Sequence, residues 1–330
     1  MNYFLFGGSG FIGTNMTNSI IANMDGFNDI IYILDLVEPR IDIKDKNNII
    51  YKKVDVRKEI DFQCDVSSDD IIFNFAAIHR TPGHEDYEYF DTNVLGAQNV
   101  VNFAEKHNIN KIIFTSSIAV YGASEEKKFE ETMLTPNTPY GISKVIAESI
   151  FEKWQLRNAD KRILNIFRPG VVFGFGENGN FTRMISSIKG NYFFYPGRKD
   201  TIKACIYVKE LVNFFNFCIE TMKPGVRIYN CTYEPAYTVE EICESIKETL
   251  SIKRHTFVIP SFVLLFSSYL LLPFFGKKIG IHPQRVRKLM VSTNISGLKM
   301  KSETKNGYQE LYDFKAALVD LNNLLEQNEK

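Results

Sequence analysis

Short apolar runs alternate with longer segments of mixed polarity along the first half of the chain. The short runs are apolar at almost every position and rich in Ile, Val and Phe, which is typical of strands buried on both faces. The longer segments repeat apolar residues at helical spacing. This pattern predicts strands at residues 3–6, 30–34, 49–56, 71–77, 111–117 and 162–167. It also predicts helices at residues 12–24, 93–106 and 140–157.

This alternation of buried strands and helices predicts one fold class. Strands that are separated by helices are expected to be parallel, with helices covering both faces of their sheet. We therefore predict an α/β protein with a doubly wound parallel sheet. Its ligands are expected at the carboxyl ends of the strands.

The pattern changes after Arg168-Pro169-Gly170, where glycine and proline divide the chain into shorter elements. In this second half of the chain, the pattern predicts a strand at residues 227–232 and a helix at residues 239–250. We expect residues 1–170 to form one domain and residues 171–330 to form mainly a smaller α/β lobe that interleaves with the sheet. A C-terminal amphipathic stretch has its apolar positions at Leu311, Phe314, Leu318, Leu321 and Leu325.

Composition narrows the class of protein. The 330 residues carry 39 Lys and Arg against 39 Asp and Glu, so the formal net charge of zero gives no sign of a nucleic-acid partner. The five cysteines form no C-x-x-C pair, which favours thiols in a reducing compartment over a metal site or disulfides. No signal peptide is expected, because the first residues run into a glycine turn without a basic region. These features predict a cytoplasmic protein.

One apolar segment, residues 262–275, departs from this pattern. It is too short to span a bilayer, which needs about 20 residues. Two interpretations stay open: a buried helix of the second lobe, or a short hairpin or wedge resting on the cytoplasmic face of the membrane. In the second case nearby cations would face anionic headgroups, namely Lys277, Lys278, Arg285, Arg287 and Lys288.

A glycine-rich turn follows the first predicted strand. Gly7 permits a tight turn, Gly10 lets backbone approach a pyrophosphate, and Gly13 allows the next helix to pack closely. The phosphates would meet the positive end of that helix. Asp35 ends the second predicted strand, where a carboxylate accepts hydrogen bonds from ribose hydroxyls and repels a 2′-phosphate. The sequence therefore predicts a dinucleotide site that prefers NAD to NADP.

Tyr140 and Lys144 lie four residues apart on a predicted helix, so the phenol and the ammonium share one face. A tyrosine with a pKa of about 10 is a poor base at neutral pH. A neighbouring ammonium lowers that pKa by favouring the phenolate. The pair predicts proton exchange with a substrate hydroxyl.

The glycine turn, the Ser-Ser-x-x-x-Tyr-Gly segment at residues 116–122 and Tyr-x-x-x-Lys together resemble the extended short-chain dehydrogenase/reductase family, in its nucleotide-sugar-modifying branch. The resemblance covers nearly the whole chain and is loose after residue 235. It implies a Rossmann-type fold, NAD as the cofactor and a substrate-binding second lobe. The implied catalytic residues are Ser117, Tyr140 and Lys144. The implied cofactor site consists of Gly7, Gly10, Phe11, Ile12, Asp35, Asp55, Val56, Ala76, Ala77, Tyr140 and Lys144.

The resemblance also implies a substrate site. Its expected members are His79, Ser117, Tyr140, Asn180 and Arg285, with Asn180 and Arg285 at the substrate diphosphate. Residues alone leave other interpretations open: Asp55 as a loop cap, His79 as an ordinary loop histidine, and Arg285 with its neighbours as a solvated face.

The implied activity is a 4-epimerase that retains NAD and acts on a diphosphate-linked hexose or N-acetylhexosamine. Its carrier would be a nucleotide or undecaprenol, and its setting surface-polysaccharide biosynthesis such as that of O-antigen. The alternative is an NAD(P)H-dependent 4-ketosugar reductase. Dehydration is disfavoured, because sugar dehydratases of the family carry Asp-Glu where this chain has Ile118-Ala119. A non-catalytic sensor is disfavoured because both Tyr140 and Lys144 are present. We also expect a homodimer and no metal.

Overall fold

The computed structural model of the chain describes residues 1–23, 29–40, 48–80, 83–177, 179–267 and 290–328. The strands in these residues are β1 (Asn2–Phe6), β2 (Ile30–Asp35), β3 (Ile49–Lys53), β4 (Ile71–Asn74), β5 (Lys111–Thr115), β6 (Ser124–Lys128), β7 (Ile163–Pro169), β8 (Val171–Phe173), β9 (Tyr195–Pro196), β10 (Ile202–Lys203), β11 (Cys205–Tyr207), β12 (Gly225–Cys231), β13 (Tyr237–Thr238), β14 (Val258–Ile259) and β15 (Thr293–Ile295). The α-helices are α1 (Phe11–Asn23), α2 (Asp86–Tyr89), α3 (Gly96–Lys106), α4 (Pro139–Leu156), α5 (Asn180–Lys189), α6 (Val208–Glu220), α7 (Val239–Thr249), α8 (Leu298–Ser302) and α9 (Phe314–Asn328).

A seven-stranded sheet forms the centre of the first unit. Its strand order is β12-β7-β5-β4-β1-β2-β3. The pairs from β3 to β7 are all parallel, which confirms the predicted fold class. The order reverses between β1 and β4, and this is the place where open α/β sheets bind their ligands. Of the cofactor residues expected from the sequence, Asp35 ends β2, Tyr140 and Lys144 lie on α4, and the others lie in the segments that follow β1, β3 and β4.

Helices pack on both faces of the sheet, and successive side chains of its strands point to these two faces in turn. On one face, Phe4 and Phe6 of β1 pack with Phe103 of α3. On the other face, Phe167 of β7 lies 4.5 Å from Phe215 of α6, centroid to centroid. The strands therefore read as continuous apolar runs rather than as alternating ones.

The chain forms two units that are each discontinuous in sequence. The first comprises Met1–Gly122, Met133–Pro169 and Leu211–Tyr229. The second comprises Ala123–Thr132, Gly170–Glu210 and Asn230–Lys330. The second unit contains a four-stranded sheet of order β13-β10-β15-β6 and two pairs of short strands, β11-β8 and β14-β9.

Several predicted boundaries were wrong, most of them at the carboxyl ends of strands. β3, β4 and β5 end before the predicted residues 54–56, 75–77 and 116–117. These residues leave the sheet because they form the loops at its carboxyl edge. The helix expected from residue 93 begins as a π-helix, Phe90–Leu95, and continues as α3. Leu311 lies outside the C-terminal helix, and 59% of its surface is exposed.

The apolar run at 262–275 is described only in part. Residues 261–267 are helical, and residues 268–275 lie outside the described residues. Phe262 is 72% exposed and Phe266 is 71% exposed, so this part of the run does not form the buried helix that was one of the two interpretations. Among the described residues, no helix combines the length and the apolar character needed to cross a bilayer.

Candidate active site

The glycine turn after β1 forms a compact loop against two neighbouring strands. The Gly7 amide donates to the Leu34 carbonyl at 2.8 Å, and Gly7 adopts a φ of +77°. A Cβ at Gly7 would lie 2.5 Å from the Ala76 amide nitrogen, and one at Gly13 would lie 2.6 Å from the Gly7 carbonyl oxygen. Larger residues are excluded at both positions because backbone occupies the space.

This loop has the features of a phosphate-binding site. α1 begins at Phe11, so the amides of Phe11 and Ile12 lie in its first turn, where N–H groups lack partners within the helix. The Ser9 hydroxyl oxygen is buried and has no hydrogen-bond partner within the described part of the chain. Unpartnered donors at a helix N-terminus suit a dinucleotide pyrophosphate, so the residues present fit the expected cofactor.

Asp35 lies at the carboxyl end of β2, beside the glycine turn. Its carboxylate accepts hydrogen bonds from the Ser9 amide at 3.1 Å and from the Val37 amide at 3.2 Å. These bonds fix the carboxylate between the turn and the loop after β2. This is the place where a ribose would follow the pyrophosphate.

Asp55 and Val56 lie in the loop after β3. The Asp55 carboxylate accepts from the Arg57 side chain at 2.9 and 2.8 Å and from the Arg57 amide at 3.1 Å. The hydrogen bond from Arg57 lowers the pKa of Asp55. Asp55 is thus a loop cap in this structure, which was one of its two interpretations, and its place in the cofactor site stays a prediction. Val56 is buried, and its carbonyl accepts from Asn99 at 2.8 Å.

The loop after β4 carries Ala76, Ala77 and His79. Asn93 holds this loop: its side chain accepts from the Ile78 amide at 2.9 Å and donates to the Ile78 carbonyl at 3.0 Å. His79 keeps an exposed surface, yet partial desolvation and the positive charges of Arg80 and Lys144 lower its pKa. Its role as a substrate contact stays a prediction.

Ser117 and Tyr140 meet where β5 ends and α4 begins. The Ser117 side chain caps the 3₁₀ turn Ile118–Tyr121 by accepting from the Ala119 amide at 3.1 Å. A Cβ at Gly141 would lie 2.5 Å from the Ala119 carbonyl oxygen, so the backbones of the turn and α4 touch. This close approach brings Ser117 into hydrogen-bond contact with Tyr140.

Tyr140 and Lys144 occupy one face of α4, as predicted. Burial raises the pKa of Tyr140, and the hydrogen bond with Ser117 acts in the opposite direction. The Lys144 ammonium donates to the Thr115 carbonyl at 2.9 Å and lies 4.8 Å from the centroid of the Phe114 ring. Burial lowers the pKa of Lys144 to about 7, against the charge of Glu148. Ser117, Tyr140 and Lys144 therefore form one cluster.

A buried ion pair behind this cluster was missed from the sequence. Glu148 follows Lys144 by one turn of α4 and accepts from Arg168 of β7 at 3.0 and 2.7 Å. Arg168 also donates to the Tyr121 hydroxyl at 2.6 Å. The four-residue spacing of Tyr140, Lys144 and Glu148 was the signal that could have revealed Glu148.

For two predicted substrate residues, the role stays a prediction. Asn180 is the first residue of α5 in the second unit, and its side chain lies outside the described residues. Arg285 lies outside them altogether, as do Arg287, Lys277, Lys278 and Lys288. In the described residues none of the five cysteines forms a disulfide, and no cluster of metal-ligating side chains is found.

The sequence of the chain is similar to those of known proteins. The sequence model of a family described as "NAD dependent epimerase/dehydratase family" matches residues 3–232. The chain is 28% identical over 308 residues to the N-acetyl-alpha-D-glucosaminyl-diphospho-ditrans,octacis-undecaprenol 4-epimerase of Escherichia coli O157:H7. The aligned region covers 91% of this chain and 89% of the relative. It is 24% identical over 272 residues to the GDP-6-deoxy-D-talose 4-dehydrogenase of Aggregatibacter actinomycetemcomitans, covering 77% of this chain and 83% of the relative.

The same architecture occurs in solved structures. The UDP-N-acetylglucosamine 4-epimerase from Bacillus cereus superposes with a TM-score of 0.70 at 17% identity, covering 98% of this chain and 99% of that one. At this identity the likeness supports the fold and leaves the chemistry to be argued from the cluster on α4.

Proposed function

The chain belongs to the NAD-dependent epimerase/dehydratase family, and on that premise we propose that it is a 4-epimerase of a diphosphate-linked hexose or N-acetylhexosamine. The observation that carries the proposal is the cluster of Ser117, Tyr140 and Lys144 at the carboxyl end of β5, on the sheet whose β1 leads into the glycine turn. The similarity to an undecaprenyl-linked 4-epimerase over 91% of the chain supports this activity within the family.

The residues of the proposed cofactor site have defined tasks. The glycine turn and the first turn of α1 would hold the pyrophosphate of NAD, and Asp35 would hold the adenosine ribose. The chemistry that NAD would supply there is reversible uptake of a hydride from a sugar carbon. The Ile118-Ala119 pair of the 3₁₀ turn offers no side-chain acid or base, so elimination of water is not part of the proposal.

Tyr140 is the proposed acid/base. Its phenolate would take the proton of the sugar 4-hydroxyl as the 4-keto sugar forms. It would return that proton after the keto sugar has rotated to present its other face. Ser117 would share the hydrogen bond of that hydroxyl. A protonated Lys144 on the same face of α4 would favour the phenolate, whose formation burial opposes.

Turnover without added cofactor is the direct test of this proposal. The purified protein is incubated with UDP-N-acetylglucosamine or with undecaprenyl-diphospho-N-acetylglucosamine, and the C4 epimer is measured. Epimer formation without added dinucleotide supports the epimerase. Activity only on a 4-keto sugar with added NADH favours a reductase. The similarity to a relative named as a 4-dehydrogenase supports this second candidate. No conversion in any arm refutes both.

An exposed apolar surface supports the lipid-linked substrate. We call it the aromatic surface and define it by Tyr192, Phe257, Phe262 and Phe266, which are 65%, 75%, 72% and 71% exposed. These residues lie on neighbouring elements. β9 begins three residues after Tyr192 and pairs with β14. Phe257 precedes β14, and the helical residues 261–267, which include Phe262 and Phe266, come just after it. The exposed cations Lys253 and Arg254 precede Phe257. Aromatic side chains beside cations suit an anionic membrane surface, where a lipid-linked sugar diphosphate would lie.

Co-sedimentation with vesicles tests this surface. Binding is expected with vesicles that contain phosphatidylglycerol, weaker at high salt, and lost when Phe262 and Phe266 are both changed to Ser. The double change of Met133 and Leu156 to Ser removes equally exposed apolar side chains and should leave binding intact. Protein that stays in the supernatant at low salt would favour a nucleotide-linked substrate.

The proposed assembly is a homodimer. Ile142 and Ile146 lie one turn apart on α4 and are 39% and 38% exposed. An apolar stripe on a helix of the first unit suits a second copy of the chain. Sedimentation velocity should show a dimer that the double change of both residues to Glu dissociates, whereas a wild-type monomer would contradict the proposal.

A further inference from the structure

We propose that Arg168 is a positioning residue, which through Tyr121 and Glu148 sets the place of Ser117 against Tyr140 and keeps Lys144 available to the reaction. The three side chains are 3%, 1% and 2% exposed, so they form a buried unit behind the cluster. None of them is expected to touch the substrate. The inference rests on the function proposed above.

The first connection is geometric. Arg168 donates to the hydroxyl of Tyr121, the last residue of the 3₁₀ turn that Ser117 begins. The same guanidinium holds Glu148, which lies on α4 two turns beyond Tyr140. One side chain of β7 therefore ties the turn that carries Ser117 to the helix that carries Tyr140. A misplacement of about 1 Å between reacting groups lowers turnover by roughly 100-fold, so such a tie bears on the rate.

The second connection is electrostatic. Glu148 and Lys144 are one turn apart on the same face of α4, a spacing at which a carboxylate and an ammonium pair readily. Arg168 instead engages both carboxylate oxygens of Glu148. The Lys144 ammonium is left to bind the Thr115 carbonyl at the carboxyl end of β5, the strand that leads to Ser117. Arg168 thus holds the carboxylate that would otherwise draw Lys144 away from the cluster.

Tyr121→Phe tests the geometric connection with little risk to folding, because it removes one hydroxyl and keeps the ring. We expect kcat to fall by about 10-fold with KM and bound NAD unchanged. The matched control is Tyr233→Phe, which removes a hydroxyl that donates to the Tyr312 carbonyl at 3.0 Å in the second unit. The control should keep its kcat. Equal kcat in Tyr121→Phe and wild type would overturn the geometric connection.

Glu148→Gln tests the electrostatic connection without any turnover. Gln keeps the shape of Glu and a hydrogen-bond acceptor for Arg168 but removes the negative charge. Among the described residues, the ionisable groups that interact electrostatically with Lys144 are Glu148 on α4 and His79 after β4. We expect the pKa of Lys144, followed by ¹³C NMR of labelled lysine side chains, to fall by about 1 unit.

An unchanged Lys144 titration in Glu148→Gln would overturn the electrostatic connection. The signal is assigned by its loss in Lys144→Met. A wild-type protein that converts no sugar would remove the proposed function, whereas the Lys144 titration would still report on Arg168, Glu148 and Lys144.

Discussion

Replacing Lys144 by Met should make the cofactor-free protein more stable at neutral and acidic pH. Lys144 is 2% exposed, and burial lowers its pKa from 10.5 to about 7. Between these two values the unfolded chain keeps a proton on Lys144 that the folded chain releases, so wild-type stability rises with pH. Below pH 7 both states hold the proton, and the full penalty for burying the charge remains.

The magnitude follows from these two pKa values. A pKa that falls from 10.5 to about 7 corresponds to an upper limit of roughly 5 kcal/mol in the free energy of unfolding. At pH 10 the two proteins should be about equally stable, because the lost hydrogen bond to the Thr115 carbonyl, worth about 1 kcal/mol, is offset by the charge penalty that remains below the unfolded pKa of 10.5. At pH 6 it should be more stable by a few kcal/mol, with the change spread between pH 7 and 10.

Urea unfolding at five pH values between 6 and 10 measures this difference, on protein freed of bound dinucleotide. Groups other than Lys144 are the same in both proteins, so their titrations cancel in the comparison. Lys153→Met is the matched control, because Lys153 is an exposed lysine of the same helix. A difference between Lys144→Met and wild type that stays constant from pH 6 to pH 10 would refute a buried, weakly basic Lys144.

Three further predictions concern the cluster and its surroundings. Tyr140→Phe should lower turnover by roughly 100-fold or more with NAD still bound, because it removes the acid/base and keeps the ring; near-wild-type turnover would take Tyr140 out of the mechanism. Asp35→Ala should weaken NAD binding and narrow the preference over NADP in a fluorescence titration; an unchanged preference would mean that Asp35 does not face the ribose. Asn93→Ala should lower the free energy of unfolding by about 2–3 kcal/mol, since the Ile78 backbone and the Ser143 hydroxyl lose their hydrogen bonds to the Asn93 amide. A decrease below 0.5 kcal/mol would contradict a role of Asn93 in holding the loop after β4.

The sequence predicted the sheet and its cluster better than the second unit, for a physical reason. β1, β2, β4, β5 and β7 are buried on both faces, so they appear as continuous apolar runs that a single sequence reveals. The strands of the second unit are mostly two or three residues long. So short a run carries no periodicity, and pairs such as β14 with β9 depend on contacts across more than sixty residues.

The cluster on α4 was predictable because its spacing is local, whereas the groups that surround it are not. Tyr140 and Lys144 are four residues apart in the sequence, but Arg168 reaches Glu148 from 20 positions away and Tyr121 from 47. Asn93 lies 50 positions from Ser143, to which it donates at 2.8 Å. Contacts of this kind become visible only when the sheet brings its strands together.

The place of β12 at the edge of the main sheet has a consequence during protein synthesis. The strand order puts β7 between β5 and β12, and all seven residues of β7 are buried. β12 is translated about sixty residues after β7, which at 5–20 residues per second is a delay of roughly 3–12 s. During that interval a nascent chain carries an apolar strand whose outer edge has no native partner, the kind of edge on which chains associate. A ribosome-bound chain ending near residue 200 should therefore engage chaperones, and one extended past residue 260 should release them.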